Sequence, residues 1–228
     1  MLIYETHQHT SGCSRCAGVS PEDMVLSIKE SGFSGVIVTN HFYHGNSSID
    51  RSLPWAEFCK AYEDDYLAAK RAGEKIGIDV IYGLEEHVGG GKEVLIYGVE
   101  LDYIAKYPEL SEINLPLLSE IVRSAGGLLI QAHPFRERAY ISDPNALLDP
   151  KYLDGYEAYN RGNSSEENKK AVDLAEKNGL PKTAGSDSHW YETERRFGIT
   201  TEKRIKDEKD LALVLKTGDY GLYHDENY

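Results

Sequence analysis

Short runs rich in Val, Ile, Leu and Thr alternate along the chain with longer stretches whose apolar positions recur every three or four residues. The first pattern predicts buried strands and the second predicts helices packed on them, the order of parallel strand–helix units. Leu2 to Thr6 reads as a first strand, Gly35 to Thr39 as a second, and Asp79 to Glu85 and Glu93 to Gly98 as the next two. Gly127 to Ala132 and Leu153 to Tyr159 follow, and Lys182 to Gly185 completes the set. Between them, Ser20-Pro21-Glu22-Asp23 opens a helix: a capping hydroxyl, a proline at the first helical position and acids in the first turn. Phe58, Tyr62, Tyr66 and Ala69 mark a long helix from about Pro54 to Gly77. Further helices are expected over Leu115–Ala125, Glu166–Asn178 and Glu208–Lys216. The chain shows no internal repeat and no linker, so one domain over residues 1–228 is expected.

Chemistry-bearing side chains gather where these apolar runs stop. His7 and His9, His41, His133 and His189 each fall at or just beyond a strand end, as does Glu85. In a parallel α/β fold those ends share one rim, which is where ligands bind. His7 and His9 are two apart on extended chain, so both imidazoles face one side; Asp187 and His189 repeat that spacing. Imidazole nitrogens mixed with carboxylate oxygens suit Zn, Mn or Fe rather than calcium. Gly89-Gly90-Gly91 lacks the context of a phosphate-cradling loop and is read as a turn.

Charge narrows the partners. Among 228 residues, 38 Asp and Glu oppose 25 Lys and Arg, a formal net charge of −13. No long basic run is available to neutralise a phosphate backbone, so duplex nucleic acid is not an expected partner. No apolar stretch reaches membrane-spanning length, and the N-terminus lacks the basic start and apolar run of a secretion signal. With three cysteines (Cys13, Cys16 and Cys59), a reduced, cytoplasmic setting is expected. Oligomeric state is not legible.

The histidine-bearing segments resemble the motifs of the polymerase and histidinol phosphatase (PHP) family of metal-dependent phosphoesterases. His7-Gln8-His9-Thr10 resembles its first motif, and Thr39-Asn40-His41 its second, where Asp is usual at the middle position. Glu85 within Gly83-Leu84-Glu85, Ala132-His133-Pro134 and Gly185-Ser186-Asp187-Ser188-His189 follow in the family's order. The closing helix is similar too. The resemblance implies a distorted (β/α)7 TIM-like barrel with two or three divalent ions on its rim. His7, His9, Glu85 and Asp187 would hold the first ion. Glu85 would bridge to a second that also takes His133, and His41 and His189 would hold a third.

Three positions depart from that pattern. On the strand after Glu85, where another His is usual, Tyr97 stands in Leu95-Ile96-Tyr97-Gly98, and His87 is an alternative donor. Shortly after the first motif an acid or His is replaced by Cys13-Ser14-Arg15-Cys16, and a thiolate of Cys13 or Cys16 would favour zinc. Asn40 removes an acid that would orient a ligand.

The resemblance implies hydrolysis of a small phosphomonoester or nucleotide through a metal-activated water, with Asp187, His189 and Arg136 as the residues acting on the substrate. Arg138, Arg161 and Arg15 are further candidates for phosphate oxygens. Tyr140, Tyr152, Tyr156, Tyr159 and Tyr191 are candidates to stack on a substrate ring. Two other readings use the same residues: hydrolysis of a non-phosphate bond such as an amide or lactone, and a degenerate binding module without turnover.

Overall fold

The computed structural model describes residues 1–224. In chain order they form β1 (Leu2–Gln8), α1 (Pro21–Glu30), β2 (Gly35–Val38), α2 (Trp55–Ile76), β3 (Asp79–His87), β4 (Glu93–Tyr97), α3 (Leu101–Ile104), α4 (Leu115–Ser124) and β5 (Leu128–Gln131). There follow β6 (Gly155–Asn160), α5 (Ser165–Asn178), β7 (Lys182–Gly185), β8 (Gly198–Thr201), α6 (Glu208–Thr217) and β9 (Gly221–Tyr223). Local chemistry explains most boundaries. The Ser20 side chain accepts from Asp23 N ahead of Pro21, and Ser164 and Glu167 cap α5 reciprocally. Gly77 and Gly179 end α2 and α5 in the left-handed conformation, with φ of +78° and +63°.

Among the described residues all nine strands join one mixed sheet, in the order β7-β6-β5-β4-β3-β2-β1-β8-β9. Beyond β7 the chain returns to β1: Asp187 N donates to His7 O at 2.8 Å and His9 N to Ser188 O at 3.0 Å. Thr6 Oγ1 also donates to Ala184 O at 2.6 Å. These bonds draw β7 against β1 and nearly close the sheet into a barrel. The expected (β/α)7 alternation is corrected in two places. β3 and β4 form an antiparallel hairpin, and β4 pairs antiparallel with β5 as well. Between β5 and β6 there is a loop with a short 3-10 turn at Pro150–Tyr152, and no α-helix. The triple glycine makes the hairpin possible: Gly89, Gly90 and Gly91 all take positive φ, which side chains disfavour.

The core divides into two apolar regions. Tyr4, Ile37, Ile81, Leu95, Tyr97 and Ile130 fill the barrel interior. The outer region, with Val36, Val38, Phe58, Tyr62, Ile121 and Val122, lies between the sheet and its helices. The interior residues form a floor beneath the rim. Among the described residues no helix is long and apolar enough to cross a membrane.

Candidate metal centre

Strand parity brings the site together. Ile81 belongs to the barrel interior, and Glu85 lies four residues on along the same face of β3. Ile37 relates to His41 in the same way. On β1 a register shift between Glu5 and Gln8 switches the inward set, so Tyr4 packs on the floor while His7 and His9 enter the centre. His133 and Asp187 enter from just beyond strand ends with φ of +27° and +53°. Side chains resist that conformation at about 1–3 kcal/mol each, so the surrounding bonds must hold it. For His133 the anchor is its backbone N–H, which donates to Glu157 Oε2 at 3.0 Å. For Asp187 it is the bond to His7 O together with Arg136 Nη1 at 2.6 Å from Oδ2.

Four overlapping groups place their ligand atoms within 4.8 Å of one another: His7, His9 and Glu85; His7, His133 and Asp187; His41, Glu85 and Glu93; and His9, His41 and His189. Every metal-site position read from the sequence lies in at least one group. His7 Nε2 is 3.3 Å from Glu85 Oε1, His9 Nε2 is 3.1 Å from Asp187 Oδ1, and His41 Nδ1 is 2.9 Å from Glu85 Oε2. Yet His7 Nε2, His9 Nε2, His41 Nδ1 and Glu85 Oε2 are buried without a well-formed hydrogen bond. Each such group costs about 1–3 kcal/mol when left unsatisfied, and divalent cations are what this donor set satisfies.

Electrostatics across the cluster is uneven. Burial pushes the Glu85 carboxyl up, but the charges of His7 and His41 hold it well below the usual range. Burial also raises Asp187, and His7 and Arg136 outweigh it to the same effect. Burial opposes a charged His7, but Glu157, Asp187 and Glu85 carry it well above the ordinary imidazole value. His9 moves the opposite way, through burial and the neighbouring His189 and His41. Glu93 is pushed up to about 8 by burial and by the nearby Glu85 charge.

Residues 165–220 match the family model described as PHP-associated. The fold, too, is shared with solved structures. A protein of Bifidobacterium adolescentis assigned as a metal-dependent phosphoesterase superposes with a TM-score of 0.55 at 16% identity, over 93% of this chain and 95% of that one. A two-domain protein of Bacteroides vulgatus, whose PHP-like part carries the same assignment, gives 0.65 at 14%, over 99% and 65%. The fold is thus shared with PHP-like structures. An amidohydrolase of Chromobacterium violaceum, solved with sulfate and no metal, gives 0.56 at 13%, over 82% and 87%. No curated protein sequence matches the chain.

Within this fold, the departures read from the sequence resolve differently. Tyr97 lies on the barrel floor, fully buried, and its hydroxyl donates to Thr6 O at 2.8 Å, away from the ligand groups. The reason is strand direction. β4 runs antiparallel, so its beginning and not its end reaches the rim, and the residue there is Glu93. Glu93 Oε2 is 3.5 Å from His133 Nε2 and its Oε1 is 3.7 Å from His41 Nδ1. Sequence reading missed Glu93; the glycine turn before it was the available signal for a hairpin. His87 Nε2 accepts from Gly91 N at 3.1 Å and joins none of the four groups. Cys13 is buried with its thiol on Tyr62 O, 3.2 Å away, whereas Cys16 lines the cavity beside His41 and His189. Burial pushes the Cys16 thiol up, but hydrogen bonding with His189 and His41 outweighs it and brings it to about 6.

Above the cluster is a cavity of about 600 Å³, lined also by His44, Asn46, Arg138 and Tyr140. The Arg136 fork is spent on protein: beside Asp187, its Nε donates to Asn163 Oδ1 at 3.0 Å and its Nη2 to Asn160 Oδ1 at 2.8 Å. Arg136 therefore orients Asp187. Arg138 is about half-exposed at the cavity, and Arg161 is paired with Glu192 at 2.6 Å. Glu157, a second residue that no motif marked, accepts from His7 Nδ1 at 2.8 Å. Its other oxygen takes the His133 N–H and Asn160 Nδ2, so one buried carboxylate sets two ligand positions.

Proposed function

We propose that the protein is a metal-dependent phosphoesterase that hydrolyses a small phosphomonoester or nucleotide. The observation that carries this reading is the set of buried, unpartnered imidazole and carboxylate atoms converging beneath an open cavity. His7, His9, His41, Glu85, Glu93, His133, Asp187 and His189 would hold two or three ions of Zn, Mn or Fe. Bound there, such ions supply Lewis acidity toward phosphoryl oxygens and an activated water. Around them, Glu157 and Arg136 fix the ligands in place, and Arg138 and Tyr140 at the mouth offer donors to non-bridging oxygens. His189, the most open of the clustered histidines with its side chain 21% exposed, would present its ion to the cavity that admits the substrate.

Phosphate release from a panel of phosphomonoesters and nucleotides, measured with each metal, tests the proposal. Turnover that disappears in His7→Ala and Asp187→Ala is expected. A metal-loaded protein that leaves every phosphoester intact overturns it. Turnover of an amide or lactone would instead favour the second reading, which the fold likeness to the Chromobacterium violaceum amidohydrolase supports. Failure to retain any metal would favour the binding module.

A further inference from the structure

Of the two β1 histidines, His7 rests directly on a carboxylate, Glu157. His9 has none behind it; its Nδ1 meets the hydroxyl of Ser14 at 3.0 Å. We infer that Asp65, on helix α2, is a positioning residue for the metal centre, fixing the tautomer of His9 through Asn40 and Ser14. The inference rests on the metal-centre reading only for its effect on metal affinity.

Proton counting carries the argument. The Asp65 carboxylate accepts from Thr10 Oγ1, and Asn40 Nδ2 donates to its Oδ2 at 2.8 Å. Asn40 Nδ2 spends its other proton on Thr10 Oγ1 at 2.7 Å. Both amide protons therefore point toward Asp65 and Thr10, and Asn40 Oδ1 must face the other way. There it accepts from Thr10 N at 2.7 Å and from Ser14 Oγ at 2.8 Å. A serine hydroxyl has one proton, and Asn40 takes it, so Ser14 Oγ can only accept from its other neighbours. One of these is His41 N at 3.0 Å and the other is His9 Nδ1. His9 must then carry its proton on Nδ1, which leaves the Nε2 lone pair facing Glu85 and Asp187.

Every member of this relay is buried: Thr10 and Ser14 are fully enclosed, Asn40 is 2% exposed and Asp65 9%. Asp65 can approach only because residue 12 is a glycine; a Cβ there would lie 1.8 Å from Asp65 Oδ1. Asn40 thus works as an amide because the acid sits one residue further back, on a helix 25 positions away in sequence.

Two measurements on Asp65→Asn, Asn40→Asp and the exchanged pair Asn40→Asp/Asp65→Asn test the inference. The first is the ring-nitrogen spectrum of His9 in the metal-stripped protein, which reads its tautomer whether or not metal binds. The second is zinc affinity by competition titration. The wild type is expected to show the Nδ1–H form, and Asp65→Asn a mixture of both forms with zinc affinity lowered about 10–100-fold. Asn40→Asp alone, which sets two carboxylates in contact, is expected to weaken zinc as well. The exchanged pair restores a single acid and is expected to recover both readouts. An unchanged His9 tautomer in Asp65→Asn overturns the inference, even if affinity falls, because Asp65 would then act only through packing. If the wild type binds no zinc but its tautomer responds, the relay stands and the metal-centre reading fails.

Discussion

β1 and β4 both deliver ligands to the rim, but from opposite ends. β1 runs upward and carries His7 and His9 at its close, in parallel with β2. β4 runs downward between β3 and β5 and carries Glu93 at its start, with Tyr97 left on the barrel floor. The rule that functional residues sit at the carboxyl ends of strands is a rule about one face of a parallel sheet. For an antiparallel strand the same face receives the amino end. The difference also appears in how each arm is supported: behind β1 lie buried carboxylates bonded to imidazole or relayed to it, whereas the Glu93 carboxylate faces His41 and His133, two members of the cluster itself.

The strongest test of the β1 arm is Glu157→Gln. A glutamine offers one acceptor oxygen where Glu157 now serves His7 Nδ1, His133 N and Asn160 Nδ2 with two. Metal affinity is expected to fall about 100-fold, with a loss of stability of about 1–3 kcal/mol from the donor left unpaired. Zinc competition and chemical denaturation measure the two effects. A variant that binds zinc as the wild type does would show that direct support of His7 is dispensable.

Next in size is the hairpin arm. Glu93→Gln is expected to lower metal affinity about tenfold and to reduce the metal retained by one equivalent per chain, read by elemental analysis. Glu93→His, which restores a nitrogen donor at the same point of β4, is expected to retain that equivalent. If Glu93→Gln keeps full metal content, the start of β4 is merely near the centre and the contrast between the strands collapses.

Acidity should sharpen the contrast. A proton on Glu93, held up to about its value of 8 by burial and Glu85, must leave before metal binds, and a proton must leave His7 too. Acidification below 8 therefore favours the protonated ligands and weakens metal, by about tenfold per pH unit for each proton released. In Glu93→Gln one released proton is lost, so the pH slope of affinity should become shallower by about one between pH 6 and 7. An unchanged slope would mean that Glu93 is already ionised in the free protein.

The sequence made the β1 arm legible because its signals are local. Two histidines at spacing two, following an apolar run, require only one strand to face one way. The helix at Ser20 was equally readable, because its cap marks it. Glu93, Glu157 and Asp65 were not legible, since each matters through a partner 25 to 150 residues away or through a strand direction that no periodicity encodes. A period of two states which residues share a face, not which end of the strand is up. The same ambiguity hid the mixed sheet, and no strand was read where β8 and β9 lie.

The smallest expected effect closes the comparison at the other end of β4. Tyr97→Phe removes only the hydroxyl that donates to Thr6 O inside the floor. The ring stays packed among Tyr4, Ile81, Leu95 and Ile130, and the Thr6 carbonyl loses one buried partner. The cost should be about 1 kcal/mol of stability, with the number of metal equivalents and the pH slope unchanged. Thr6 precedes His7, so a loosened carbonyl there could still widen the motion of β1; that would appear as a modest loss of affinity with full stoichiometry. A lost equivalent is the outcome that contradicts the geometry, because it would make Tyr97 a ligand and return the rim end of β4 to where a parallel strand would have put it.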